Sequence, residues 1–295
     1  RSMLSKNLID AVLKSVNYDL ENTVFSYIPN TAELAFGGLV EGLHDYYDKL
    51  KAESILKLGG DISDSSLKRI LSMRPRINKV VLKDAKQRTF ITDDESRDSL
   101  VNLVYDITYG TVRRGIDSLV VVDDSIVRGT TLKQSILKIL DRLHPKKIVV
   151  VSSSPQIRYP DCYGIDMAVL GRFVAFEAAI TLIRKNKKEK FLRELYTRAL
   201  AELQKPKEEQ TNLVKEVYAA FSTEEISAQI AELIKPKDIQ AEFELIYQSI
   251  DGLHNACPNN LGDWYFTGNY PTPGGNKVSN QAFVNYMEGN NKRAY

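Results

Sequence analysis

The sequence predicts an α/β fold in which a mostly parallel sheet is flanked by helices and is followed by a helical C-terminal extension and an irregular tail. Two apolar runs, "SLVVVDD" and "KKIVVVSSS", have the near-continuous valine pattern of strands that are buried on both faces of a sheet. The segment between them, "TTLKQSILKILDRL", repeats its apolar residues with a helical period. This order of strand, helix and strand favours a parallel sheet whose loops after the strands share one edge.

The elements before this unit follow the same alternation. "LSKNLIDAVLKSV" has helical spacing, "TVFSYIP" predicts a strand, and "NTAELAFGGLVEGLHDYYDKL" predicts a turn and then a helix capped by Asn30 or Thr31. A short strand at Val80–Leu82 leads into "KDAKQRTFITDDESRDSL", whose charges of both signs and few apolar anchors predict a mobile excursion. Because the chain begins almost inside a helix, we expect it to be part of a longer polypeptide.

The C-terminal half has a different character. Residues 167–251 predict successive helices, interrupted by turns at "QKPKEEQTN" and "IKPKDIQ". We place a core domain at residues 1–190 and a helical extension with its tail, packed on the core, at residues 191–295. The chain beyond His254 is rich in Gly, Asn and Pro and predicts an irregular tail packed by aromatic side chains, namely Trp264, Tyr265, Phe266 and Tyr270.

Composition narrows the classes of function. With 295 residues, 43% hydrophobic and 26% charged, the chain has the composition of a globular protein of one large domain or two ordinary ones. A formal charge of +2 gives no electrostatic case for a nucleic-acid or membrane partner, and no apolar run is long enough to span a bilayer. We expect a cytoplasmic protein, because neither a signal peptide nor a disulfide framework is visible. The three histidines are too dispersed to predict a zinc site.

The residues after "SLVVV" combine groups that suit a sugar phosphate. A loop between a parallel strand and a helix presents backbone N–H groups and the positive end of the helix dipole, and both bind phosphate. Gly129 lets the backbone approach closely, while Thr130 and Thr131 add hydroxyl donors. The adjacent Asp123 and Asp124 can accept hydrogen bonds from sugar hydroxyls, with a divalent metal offsetting their repulsion.

Simpler interpretations of this segment exist. The acids could form only a solvated strand end, and one of the threonines could form only a helix cap. A Walker B strand and a dinucleotide-binding fold have no support, because neither G-x-x-x-x-G-K-[ST] nor G-x-G-x-x-G is present.

"VVVDDSIVRGTT" resembles the phosphoribosyl diphosphate (PRPP) binding motif of type I phosphoribosyltransferases, and "DDSIVRGTT" is closest to the amidophosphoribosyltransferase family. Four further stretches resemble that family in the same order along the chain. "IPNTAEL" resembles its pyrophosphate loop, "KDAKQRTFI" its flexible catalytic loop, "SSSPQIRYPDCYGIDM" the next strand and loop, and "YFTGNYPT" its C-terminal segment.

The resemblance implies transfer of phosphoribose from phosphoribosyl diphosphate to ammonia, which gives 5-phosphoribosylamine and pyrophosphate in the first step of de novo purine biosynthesis. It implies Mg²⁺ as cofactor and a glutaminase domain of the same polypeptide as the ammonia source. Nothing in this chain resembles that domain, so we interpret the chain as the synthase half. A homo-oligomer and purine nucleotide inhibitors are also implied.

On the matching residues, the resemblance implies that Asp123 and Asp124 contact the ribose hydroxyls and the metal. It implies that Lys83 and Arg88 approach the pyrophosphate and that the charged stretch of residues 83–100 closes over the substrate as a lid. The substrate-binding set that it implies is Ser125, Val127, Arg128, Gly129, Thr130, Thr131, Asn30 and Thr31. A solvated surface is the alternative for Lys83 and Arg88, and Asp166 is interpreted as the cap of a helix that starts at Met167.

The sequence also departs from the family pattern. Ala32 stands where the pyrophosphate loop usually has a serine, so Thr31 is the only neighbouring hydroxyl. Some members bind an iron–sulfur cluster, but here Cys162 is displaced by one position and the other cysteines are replaced by Asn259, Gly262 and Tyr265. No iron–sulfur cluster is therefore expected. Two other functions stay open, namely a phosphoribosyltransferase with a nucleobase acceptor and a non-catalytic module that senses phosphoribosyl diphosphate or nucleotides.

Overall fold

The computed structural model describes residues 2–29, 31–59, 63–83, 105–164, 167–260, 262–290 and 292–294. The strands are β1 (Thr23–Tyr27), β2 (Arg76–Ile77), β3 (Val81–Lys83), β4 (Tyr105–Ile107), β5 (Ser118–Asp123), β6 (Lys147–Ser152) and β7 (Glu242–Tyr247). The helices are α1 (Ser2–Lys6), α2 (Ile9–Ser15), α3 (Glu33–Leu58), α4 (Asp64–Leu71), α5 (Leu137–Asp141), α6 (Val174–Lys185), α7 (Glu189–Leu203), α8 (Lys215–Ala219), α9 (Thr223–Ile234), α10 (Ile250–Ala256), α11 (Trp264–Thr267) and α12 (Pro273–Met287). A π-helical turn at Leu132–Ile136 precedes α5, and short 3₁₀ turns lie at Leu170–Arg172 and Lys207–Glu209.

Five strands form a parallel sheet in the order β2-β1-β5-β6-β7, and β3 pairs with β4 in a separate antiparallel sheet. Strand β5 is central, with Val120 paired to Phe25 on one side and to Val149 on the other. These side chains are buried, as continuous valine runs require in a sheet that is covered on both faces. The predicted mostly parallel α/β fold with flanking helices is confirmed.

The described chain divides into two compact units. The first consists of Arg1–Asp124, Thr131–Ser153 and Pro236–Gln248, and its core packs the parallel sheet against α2 and α3. The second consists of Ser125–Thr130, Ser154–Lys235 and Ser249–Tyr295 and is helical. In its core, the Phe176 ring contacts Tyr286 at a centroid distance of 4.8 Å. The predicted boundary at residue 190 differs from this division and stays a prediction, because compactness does not decide which residues a catalytic core includes.

Strand β7 corrects the prediction that residues 167–251 form only helices and the turns between them. The first four residues of "EFELIY" alternate between acidic and apolar, and the strand lies at the edge of the sheet, where it is only partly buried. It pairs with β6, from which it is separated in sequence by a long and mostly helical segment. The sequence signal of such an edge strand is weak, because the strand is short, partly polar and lies between helical segments.

Helix α12 corrects the prediction of a wholly irregular tail. Pro273 occupies the first turn, where its missing N–H is tolerated, and Phe283 is fully buried. Gly275 looks like a turn signal, but it serves close packing, because a Cβ there would lie 2.2 Å from Cγ of Tyr270. The aromatic residues predicted to pack this region are partly buried, and three of them lie in α11.

Smaller differences concern helix boundaries. Ala32, and not Thr31, is the N-cap residue of α3, and it makes no side-chain capping bond. The predicted helix over residues 4–16 is divided into α1 and α2. None of the helices that the structure describes has the length and apolar character that a bilayer crossing requires.

Candidate functional site

The candidate site begins where β5 ends at the carboxyl edge of the sheet. Val120, Val121 and Val122 are buried in the centre of the sheet and fix the point at which the chain emerges. The carbonyl of Asp123 accepts a hydrogen bond of 2.9 Å from the Ser153 N–H, and the carbonyl of Asp124 accepts one of 3.2 Å from the Ser153 hydroxyl. Ser153, the residue that follows β6, therefore holds the backbone of both acids.

The two adjacent acids have unusual electrostatics. Desolvation, together with the neighbouring Asp124 charge, raises the pKa of the Asp123 carboxyl to about 8. The Asp124 N–H donates to Oδ1 of Asp123 over 2.8 Å. Without a cation, Asp123 therefore retains its proton near neutral pH, and a bound cation would favour its ionised form. A fully solvated carboxyl at a strand end would not have this raised pKa, and the role of Asp123 in binding stays a prediction.

Tyr247 is a neighbour of this pair that the sequence reasoning missed. It ends β7, and its hydroxyl is buried without a hydrogen-bond partner in the described part of the chain. Burial raises the pKa of the phenol, and the charge of Asp123 adds to the rise. The alternation of acidic and apolar residues in "EFEL" is the local signal of this strand, but it is too short to predict the strand without β6 beside it.

The loop after the acids is fixed by its backbone. Gly129 has φ of 68°, and a Cβ at this position would lie 2.7 Å from Cγ2 of Ile234. Only glycine fits both the left-handed backbone and the short distance to Ile234. The Val127 carbonyl accepts a hydrogen bond of 2.9 Å from the Val174 N–H at the start of α6, and Ile126 is buried. The backbone of the loop is thus held on α6.

The threonines that follow the loop are exposed. Thr131 has helical backbone angles and stands at the N-cap of the π-helical turn, but its side chain makes no capping hydrogen bond. The interpretation of Thr131 as a simple helix cap is therefore not supported, and its hydroxyl remains available to a ligand.

The other predicted site residues lie elsewhere or outside the description. Lys83 is the last residue of β3, opposite Tyr105 of β4. Thr31 is exposed immediately before the buried Ala32. Asn30, Arg88, Asp166 and the predicted lid beyond Lys83 lie outside the described residues. The roles given to Lys83, Arg88, Asn30 and Thr31 stay predictions.

The opposite end of β5 carries a structural charge cluster. Asp117 is fully buried and accepts two hydrogen bonds from the Arg76 guanidinium, at 2.7 and 2.8 Å. Arg113 donates its backbone N–H at 2.7 Å and its Nε at 3.0 Å. Desolvation alone would raise the pKa of Asp117, but these bonds outweigh it and lower the pKa to about 2. Because this cluster lies at the amino edge of the sheet, it stabilises the fold and is no part of the candidate site.

The described acidic and cysteine side chains bear on metal and cluster binding. No group of three or more His, Cys, Asp or Glu side chains that could hold a metal occurs among the described residues. A metal at this site would therefore need further ligands from its substrate or from water. Cys162 and Cys257 are free thiols, and the expected absence of an iron–sulfur cluster stays a prediction.

Comparison with known proteins identifies relatives of part of the chain. No family model matches it. Amidophosphoribosyltransferases of Pasteurella multocida and Escherichia coli are 43% and 40% identical over 68 residues, which is 23% of this chain and 13% of each relative. The same enzyme of Pyrococcus horikoshii is 43% identical over 67 residues, 23% of this chain and 15% of the relative. The matched segments thus cover well under two thirds of these proteins.

Two solved structures are also similar. A glutamine phosphoribosylpyrophosphate amidotransferase from B. subtilis, complexed with ADP and GMP, has a TM-score of 0.49 at 20% identity, over 92% of this chain and 42% of that chain. An allosteric regulatory enzyme of purine biosynthesis has a TM-score of 0.49 at 21% identity, over 92% of this chain and 41% of that chain. The predicted resemblance to the amidophosphoribosyltransferase family is confirmed by the curated relatives, and they do not favour a nucleobase acceptor.

Proposed function

We propose that this chain transfers phosphoribose from phosphoribosyl diphosphate to ammonia, releasing pyrophosphate and forming 5-phosphoribosylamine. The observation that carries the proposal is the segment from β5 through the following loop to the π-helical turn. It places the adjacent acids Asp123 and Asp124, whose charges interact, directly before the loop that contains Gly129. The sequence of that unit, "DDSIVRGTT", matches the motif of the family to which the curated relatives belong.

In this proposal, the loop binds the 5-phosphate. Gly129 allows the loop to present its backbone N–H groups, and the hydroxyls of Thr130 and Thr131 donate to phosphate oxygens. Ser125, Val127 and Arg128 belong to the same loop. The hydrogen bond between Val127 and Val174 fixes the loop before substrate arrives, which reduces the entropy lost on binding.

Asp123 and Asp124 hold the ribose end. Their carboxylate oxygens accept hydrogen bonds from the ribose hydroxyls, which orients the anomeric carbon toward the incoming ammonia. The adjacent carboxylates and the raised pKa of Asp123 fit a divalent cation, because oxygen ligands suit Mg²⁺ and a cation relieves their repulsion. When bound, Mg²⁺ would offset the negative charge that develops on the leaving pyrophosphate.

In this displacement, the protein forms no covalent bond with the substrate. Ammonia attacks with its own lone pair, the bond from the anomeric carbon to pyrophosphate breaks, and ammonia loses a proton to solvent. Positioning and charge stabilisation therefore carry the catalysis. We propose Lys83 and Arg88 for the pyrophosphate end, on the sequence resemblance. We further propose, on the same resemblance, glutamine dependence through a glutaminase domain in the full-length protein, a homo-oligomer, inhibition by purine nucleotides and a cytoplasmic location.

Pyrophosphate release by the purified 295-residue chain tests this function. We expect release that depends on phosphoribosyl diphosphate, Mg²⁺ and ammonium, and that increases with pH as more ammonia is unprotonated. Asp124→Asn should reduce turnover by about 100-fold or more with little change in melting temperature, because it removes a charge aimed at the substrate. Asp251→Asn, at an exposed position in α10, is the matched control and should remain active. Tight binding of phosphoribosyl diphosphate without any turnover would select the sensing module instead.

A further inference from the structure

The hydroxyl of Tyr247 is a buried polar group to which the proposed function gives no role. Within the described part of the chain, this hydroxyl has no hydrogen-bond partner. Burying a hydroxyl without a partner is unfavourable, and most buried hydroxyls in proteins are paired. A phenylalanine would fill nearly the same space without this cost. A partner that becomes available only when the protein binds its substrate would offset it.

The register of the parallel sheet places this tyrosine in line with Asp123. Asp123 of β5 is paired with Ser152 of β6, and Ser152 is paired with Tyr247 of β7. We name these three residues the terminal row, because they end three adjacent strands at the carboxyl edge. All three belong to the first compact unit. Since side chains alternate along each strand, residues paired in this way project from the same face of the sheet.

The preceding residues of the same strands identify that face. Val122, Val151 and Ile246 belong to the core that packs against α2 and α3, so the terminal row lies on the opposite face. Adjacent strands are about 4.8 Å apart, which separates the backbones of the outer two members of the row by about 10 Å. A phenol is longer than one such spacing. It can therefore extend over the small, buried Ser152 toward the carboxyl group.

The electrostatics of the phenol agree with this placement. Burial is the larger cause of the raised pKa of Tyr247, and the charge of Asp123 is the second. The two side chains are thus close enough to interact, although no hydrogen bond joins them. The raised pKa also keeps the hydroxyl protonated, so it can donate a hydrogen bond to a carboxylate.

We propose that Tyr247 is a positioning residue for Asp123, an inference that rests on the proposed function. When substrate and metal are bound, the phenol donates a hydrogen bond to the Asp123 carboxylate and holds it in the orientation that the ribose hydroxyls and the metal require. Hydrogen bonds to an ionised carboxylate are stronger than those between neutral groups. Carboxylates that bind metal ions are commonly oriented by a hydrogen bond of this kind. Tyr247 thus acts through Asp123 and does not itself contact the substrate.

Carbon NMR of the phenol tests the proposal directly. The chain is labelled with ¹³C at Cζ of tyrosine, whose chemical shift responds to hydrogen bonding of the hydroxyl, and the Tyr247 signal is the one missing from Tyr247→Phe. We expect this signal to move downfield when phosphoribosyl diphosphate and Mg²⁺ are added together. The control is Tyr218, whose hydroxyl already donates to the Arg158 carbonyl over 2.6 Å and whose signal should stay in place.

Two negative outcomes of this measurement are distinguishable. A Tyr247 signal that stays fixed at concentrations that saturate pyrophosphate release would overturn the inference and leave the proposed function intact. Absence of pyrophosphate release would instead refute the proposed function, and the inference would fail with it.

Substitution of the tyrosine distinguishes positioning from a structural role. Tyr247→Phe should raise the dissociation constant for phosphoribosyl diphosphate by about tenfold or more, measured by calorimetry with Mg²⁺ and without ammonium, while the melting temperature stays the same. Tyr47→Phe is the matched control, because it removes the hydroxyl of a buried tyrosine of α3 in the same unit, and it should leave binding unchanged. Equal affinity of Tyr247→Phe and the unsubstituted chain would contradict the proposal.

A double-mutant cycle identifies the partner of the hydroxyl. In Asp123→Ala, which has no carboxylate at this position, adding Tyr247→Phe should cause no further loss of affinity. Losses that add would mean that the hydroxyl acts on a group other than Asp123, and the inference would be wrong. The NMR measurement leaves Asp123 in place and decides the question if Asp123→Ala does not fold.

Discussion

Replacing Gly129 by alanine measures how strictly the loop geometry is imposed. The left-handed backbone at φ of 68° costs an alanine about 1–2 kcal/mol. The new Cβ would also lie 2.7 Å from Cγ2 of Ile234, and such overpacking costs about 1–3 kcal/mol. We therefore expect Gly129→Ala to lower the free energy of unfolding by about 2–5 kcal/mol, the sum of these two costs.

Gly289 provides a matched control. It has the same φ of 68°, and a Cβ there would meet nothing within 4 Å. Gly289→Ala should therefore lose only the backbone cost, about 1–2 kcal/mol. Urea unfolding of both variants measures the difference. Equal losses in the two variants would refute the reasoning, because Ile234 would then place no limit on position 129.

The same variant has a functional consequence. A backbone displaced by the alanine Cβ would move the N–H groups that we propose bind the 5-phosphate, and hydrogen bonds to an anion weaken steeply with distance and angle. Gly129→Ala should therefore raise the dissociation constant for phosphoribosyl diphosphate, whereas Gly289→Ala should not. Calorimetric titration of the folded variants, at temperatures below their transitions, distinguishes this effect from simple instability.

The sequence predicted the centre of the sheet well because the signal there is local. Strands β5 and β6 are buried on both faces, so every residue from Val120 to Val122 must be apolar. A loop that joins such a strand to a helix must emerge at the carboxyl edge, so the sequence alone places Asp123 and Gly129 at that edge. The chemistry predicted for this loop came from its resemblance to the phosphoribosyl diphosphate binding motif.

The features that the sequence did not reveal depend on partners that are distant in the chain. Strand β7 is recognisable only beside β6, since its own acidic alternation is short. Gly275 predicts a turn in isolation, but its reason is the ring of Tyr270. Arg172 and Arg293 are a further case, because they are ordinary charged residues in sequence and line one cavity only through the packing of the helical unit. Electrostatic sites made from several elements thus require the fold before they can be seen.

Three further predictions follow from burial and charge. Asp117 has a pKa lowered to about 2, so its bonds to Arg76 and Arg113 stabilise the fold at a pH above the ordinary pKa of the carboxyl, and this stabilisation is lost as pH falls from about 4 to 2. Asp117→Asn should lower the free energy of unfolding, measured in urea at pH 7, by about 3–5 kcal/mol. A loss near zero would mean that the cluster is not structural. Tyr247→Phe should leave stability unchanged or increase it, because the buried hydroxyl finds no partner in the described residues; a loss of more than about 1 kcal/mol would indicate a hydrogen bond that the structure does not show. Asp123 has a pKa raised to about 8, so its protonated form is the one that the fold favours, and without Mg²⁺ the stability should decrease as pH rises from about 4 through 8. Asp123→Asn should remove this decrease, because the amide keeps the shape of the neutral acid and cannot ionise; melting temperatures of both proteins at pH 6 and pH 9 measure it, and a parallel change in both would show that Asp123 is already ionised in the fold.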